Sequence, residues 1–211
     1  MRLRIAALAL LATTLSATPV QASTKFTFLN GGSSVAFGFY VGPYQGLMGT
    51  APGVPVTLNC VDFFNEVSNG QTWFANISSL ATGDGVGTAT RSSDLSAYRR
   101  AAWLTTQYAA NPGSIADIQA TIWNLIPGNG TPPSPSTGSP WGDLSLAYAN
   151  APSTGFYVVT DVNKDQAGSV QEFIIFDSNS QIVSTPEPAS LILLGTGLVG
   201  LVGVNARRKK K

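Results

Sequence analysis

Residues 54–77 read VPVTLNCVDFFNEVSNGQTWFANI, two runs rich in β-branched and aromatic side chains separated by Ser68, Asn69 and Gly70. Such side chains suit pleated, half-buried backbone, and Asn-Gly tolerates the positive φ of a tight turn, so the stretch predicts strands over 54–67 and 72–77 joined as a hairpin. Upstream, residues 25–29 and 35–41 have the same character, and downstream so do 156–161 and 170–177. The middle of the chain is different. Residues 94–110 and 114–126 have helical composition, with Ser114 and Asp117 spaced as a capping box after Pro112-Gly113. Ile115, Ile118, Ile122 and Leu125 fall three and four apart and predict one buried stripe. Residues 127–142 are rich in Pro, Gly, Ser and Thr and read as an exposed loop, and Arg99-Arg100 as the wet face of its helix. The expected fold is therefore mainly β, a sandwich or barrel with an inserted helical pair covering one side or end.

Composition narrows the chemistry. The 211 residues include 12 basic and 11 acidic side chains, one cysteine and no histidine. A Ser-His-Asp triad, a Cys-His pair and His-ligated zinc are excluded, as are an intrachain disulfide and a multi-Cys zinc site. With 22 Gly, 13 Pro and 11% charged residues, the chain resembles an exported β-rich protein more than a helical cytosolic enzyme. Between residues 23 and 185 there are five basic and ten acidic side chains, a net of −5, which argues against nucleic acid as a partner.

The two ends carry addresses. Residues 1–22 begin with Arg2 and Arg4, run apolar from Ile5 to Leu15 and close on Val20-Gln21-Ala22, the pattern of a signal peptide cut by signal peptidase. At the other end come Pro186, Glu187 and Pro188, then an uncharged run over 189–206, then Arg207, Arg208, Lys209, Lys210 and Lys211. As a helix that run is about 27 Å long, enough for a single transmembrane helix in the inner membrane with the basic cluster kept cytoplasmic. The ectodomain is then residues 23–185, and the tail 186–211. This tail resembles the PEP-CTERM sorting signal of Gram-negative bacteria, which implies transient anchoring, an exosortase as processing partner, and a final place at the cell surface or outside the cell. A permanent C-terminal anchor predicts the same topology without cleavage.

An unpaired cysteine in an exported protein needs protection or a purpose. Cys60 stands in Asn59-Cys60-Val61-Asp62, and downstream lies Ile118-Gln119-Ala120-Thr121-Ile122-Trp123, with Gln119 and Trp123 on one helix face. These segments resemble the thioester domains of bacterial surface adhesins. Cys60, Val61 and Asp62 match that family's first motif; Ile118, Gln119, Ile122 and Trp123 match its second; Asn59 stands where the family has an aromatic residue or Leu. The resemblance implies that Cys60 and Gln119 condense into an internal thioester, and that an amine on a surface or matrix protein is then acylated in a single turnover. No cofactor is involved, and the protein is then no enzyme. The bland alternatives are a small buried cysteine and an ordinary amphipathic helix, giving an inert matrix or biofilm component; a secreted carbohydrate-active hydrolase is a third reading. Asp161, Asn163, Asp165 and Glu172 have the spacing of a calcium loop, but Gln166 occupies the position of the turn glycine and strands flank it, so a solvated hairpin loop is the better expectation.

Overall fold

The computed structural model describes residues 23–177 apart from 127, 129 and 152. Among the described residues there are eight strands: β1 Thr24–Asn30, β2 Val35–Ala36, β3 Phe39–Tyr40, β4 Pro43–Met48, β5 Val54–Cys60, β6 Thr72–Ser79, β7 Phe156–Asp161 and β8 Phe173–Phe176. Six of them close into an antiparallel barrel in the order β1-β4-β5-β8-β7-β6, and β2 pairs only with β3. Closure leaves the barrel strands no free edge. Of sandwich and barrel, the protein is a barrel.

The helices α1 Leu95–Thr105, α2 Ile115–Leu125 and α3 Trp141–Ser145 all lie between β6 and β7, which are neighbours in the sheet. The excursion packs back on β7 and β8, whose side chains alternate between two cores. Val159, Phe173 and Ile175 join Phe26, Leu58 and Trp73 in one cluster, while Val158 and Ile174 join Ala101, Leu104, Ile118 and Ile122 in the other. Period-two alternation with both faces covered explains why β7 and β8 read as nearly continuous apolar runs. Helix α2 touches both clusters: Ile118 and Ile122 belong to the helical one, Trp123 to the barrel one. It is buried without a break from Ile118 to Trp123, so the expected stripe is widened, and Ile115 and Leu125 at its ends are only partly covered.

Several local expectations are corrected. The run 35–41 is not one strand but a hairpin, turning at Phe37 and Gly38 with φ of 58° and 84°. Strand β5 stops at Cys60 rather than continuing to Val67, because the Asp62 carboxylate accepts from the Phe64 N–H at 2.9 Å and curls the chain into a loop. Asn69-Gly70 does turn, with Gln71 N–H donating to Ser68 O at 2.9 Å, yet it joins no hairpin, since β5 and β6 are not neighbours in the barrel. The run 170–177 is a strand only over Phe173–Phe176. Ser114 makes no side-chain cap on α2, which is entered through a 3-10 turn at Pro112–Ser114; Asp117 instead accepts from the Ser136 N–H at 2.8 Å and ties down the 127–142 loop. The capped helix is α1, where Asp94 accepts from the Ala97 N–H at 3.0 Å. Arg99 and Arg100 are half-buried: Arg99 donates to the carbonyls of Leu80 and Ala81, and Arg100 to Ser145 and the Gly142 carbonyl, so both stitch α1 to the chain around it. Strand β4 and helix α3 were not expected at all.

Among the described residues no helix is long and apolar enough to cross a membrane. The expected signal peptide, 1–22, and the expected sorting tail with its transmembrane helix, 186–211, lie outside the described residues.

Candidate functional site

The site is assembled where β5 ends against α2. Cys60 closes the short β5–β8 seam opposite Phe173, and the Val61 N–H extends it by donating to Glu172 O at 3.0 Å. Gln119 sits one turn into α2, fully buried. Its carboxamide Nε2 donates to the backbone carbonyl of Cys60 at 2.9 Å, across 59 residues of chain. Its Oε1 accepts from the Tyr108 hydroxyl at 2.8 Å and from the Gly42 N–H at 3.2 Å. One end of the amide meets an obligate acceptor and the other an obligate donor, so its orientation is forced by its partners.

Cys60 is the free cysteine of the barrel core, only 2% exposed. Burial pushes its thiol up to about 12; the Trp123 indole N–H opposes that shift, and the charge of Asp62 adds to it. The thiol is therefore protonated at neutral pH, and its S–H donates to Asp62 O at 3.1 Å. Asp62 itself is held by Arg91 Nε at 2.9 Å and by Asn65, while Arg91 also reaches the carbonyls of Lys164 and Val170. That clamp fixes the loop after β5, and with it the path of the backbone at Cys60.

Outside Cys60 opens a cleft of about 410 Å³ whose walls include Phe39, Tyr40, Phe63, Trp123 and Glu66. The β2–β3 hairpin overhangs it: Phe39 packs edge-on to Phe63 at 5.1 Å and to Trp123 at 6.3 Å, and Tyr44 Oη anchors the hairpin by donating to Tyr40 O at 2.6 Å. A ligand reaching the sulfur passes aromatic faces and an exposed carboxylate.

Of the residues singled out from sequence, Cys60, Val61, Asp62, Ile118, Gln119, Ile122 and Trp123 gather around this corner, with Val61, Ile118 and Ile122 turned into the helical core. Tyr108 and Gly42 were missed as site residues. The four residues with calcium-loop spacing do other work in and beside the β7–β8 connection: Asp161 accepts from the Asn163 and Val170 N–H groups, Asp165 pairs with Lys164 in solvent, and Glu172 points into the core. Among the described residues no group of three or more His, Cys, Asp or Glu side chains could hold a metal ion. Pro186, Glu187, Pro188 and the basic run 207–211 lie outside the described residues.

Residues 184–209 match the family described as the PEP-CTERM protein-sorting motif. The motif implies processing by an exosortase and export to the cell surface or the extracellular space. Among solved structures, the chain is similar to the N-terminal thioester domain of a surface protein from Clostridium perfringens, with 11% identity and a TM-score of 0.39 over 74% of this chain and 99% of that one. No curated protein matches the chain.

Proposed function

We propose that Cys60 and Gln119 condense into an internal thioester, and that the exported protein uses it to attach itself covalently to an amine-bearing surface or matrix partner. The observation that carries this reading is the Gln119 carboxamide, fully buried and hydrogen-bonded to the backbone of Cys60 at 2.9 Å. A side chain so held has lost most of the freedom that an intermolecular reaction must give up, and the sulfur needs only to come within about 3–3.5 Å of the amide carbon. In the condensation an S–C bond forms at Gln119 Cδ, the C–N bond breaks, and the thiol proton leaves with the nitrogen as ammonia. When an amine enters, an N–C bond forms, the C–S bond breaks, and a proton returns to Cys60. Each protein reacts once, so this is capture and not turnover. The cleft beside Cys60 supplies the entry route, and the net negative charge of the ectodomain favours cationic partners.

Intact-mass spectrometry of the full chain tests the reading. The expected mass is short by one ammonia, full in Cys60→Ala, and raised by one amine after incubation with methylamine. One observation favours a second reading, an unreactive matrix component: the unreacted carboxamide already satisfies all three of its neighbours. A full mass with an alkylatable Cys60 would select it. The cleft offers less to a hydrolase, since of its two carboxylates Asp62 is committed to Arg91 and the Phe64 N–H.

A further inference from the structure

We infer that the Tyr108 hydroxyl and the Gly42 N–H form an oxyanion site at Gln119 Oε1, which makes Tyr108 a catalytic residue for both closing and opening the Cys60–Gln119 bond. The inference rests on the thioester reading and adds to it the group that lowers the barrier.

Addition of sulfur or of an amine to Gln119 Cδ moves negative charge onto one atom, Oε1. That atom already faces two donors brought from distant parts of the chain, Gly42 from 77 residues upstream and Tyr108 from 11. Among the described residues neither donor has another acceptor that would compete, and both are buried, so their dipoles act in a medium that screens them little. Burial holds the Tyr108 phenol well above its ordinary value, which keeps its proton available as a donor through the reaction. The geometry at Gly42 is built rather than incidental. Its φ is +90°, a region that side chains rarely adopt, and a Cβ there would stand 3.2 Å from Ile115 Cγ2. The backbone is thus bent so that its N–H looks at α2. Its 3.2 Å bond to the planar amide has room to tighten as charge develops on the oxygen. At the other end Nε2 is held on Cys60 O, so the nitrogen that departs is fixed against the backbone of the residue whose sulfur replaces it.

The test compares the full wild-type chain with Tyr108→Phe. A wild-type mass without the ammonia deficit removes the thioester itself, and this inference with it. Given the deficit, methylamine opening is followed by intact mass and thiol release. Loss of one oxyanion donor is expected to slow opening about 100-fold. A folded variant, judged by near-UV circular dichroism, that never closes the bond supports the same role. A tyrosine that merely packs predicts the opposite sign, because a loosened core admits amine and water faster. Opening at the wild-type rate or above therefore overturns the inference. Should Tyr108→Phe fail to fold, wild-type protein labelled with 13C at glutamine carbonyls gives the answer by infrared difference spectroscopy. A thioester carbonyl lowered in frequency against an alkyl thioester in apolar solvent is expected, and an unshifted band overturns the assignment.

Discussion

Gly42 shows how much of the site depends on one backbone conformation. Replacing it by Ala puts a Cβ into a left-handed conformation and against Ile115, at a cost of about 1–2 kcal/mol, and tilts the N–H away from Gln119. The expected result is a lower urea midpoint together with incomplete ammonia loss, both measurable on one preparation. Cys60 and Gln119 were legible in the sequence because each sits in a short motif with a chemical meaning. Tyr108 and Gly42 were not, since nothing local marks a tyrosine beyond the end of α1 or a glycine before Pro43 as facing the same amide. Their partner is 11 and 77 residues away.

At the scale of elements, the β2–β3 hairpin of the site stands well out in solvent, with Val35 at 64% and Tyr40 at 56% exposed. Its hold on the cleft is aromatic, through Phe39 on Phe63 and Trp123. Phe39→Ala is expected to lower stability by only about 1 kcal/mol, the worth of such ring contacts, while raising several-fold the rate at which iodoacetamide labels the Cys60 thiol after methylamine has opened the bond. An unchanged labelling rate would mean that the hairpin does not cover the sulfur. Strand β4 carries no strand signal in its sequence for a related reason of packing. Its inward positions are Tyr44 and Gly46, and Gly46 is small because a Cβ there would lie 2.6 Å from Leu58 Cδ1 and 2.9 Å from Thr27 O. A glycine that makes room for its neighbours removes the apolar signal by which a strand is recognised.

Across the whole molecule, one buried carboxyl joins the helical layer to the barrel. Glu172 accepts from Tyr98 on α1, from Thr160 on β7 at 2.6 Å and from the Arg91 N–H at 3.0 Å. Burial raises its pKa above the ordinary glutamate value, opposed by these hydrogen bonds and by the Arg91 charge. The folded state thus prefers the protonated acid more than the unfolded chain does. Its contribution to stability is complete below the ordinary glutamate pKa and is lost as pH rises through the raised folded value. Urea midpoints measured from acid to neutral pH are expected to decline in wild type and to flatten in Glu172→Gln, whose amide keeps the same shape without titrating. A slope unchanged by the substitution would assign the decline to other groups.

Period-two runs, the α2 spacing and the two motifs were determined by residue order alone, because each depends on side chains within about one or two turns of one another. So was the sorting address, which is a linear signal. Closure into a barrel, the alternation of β7 and β8 between two cores, and the meeting of Gln119 with Cys60, Tyr108 and Gly42 were decided only by the tertiary structure. Strand order and convergence at one amide depend on pairings between segments far apart in the chain, which no local pattern encodes.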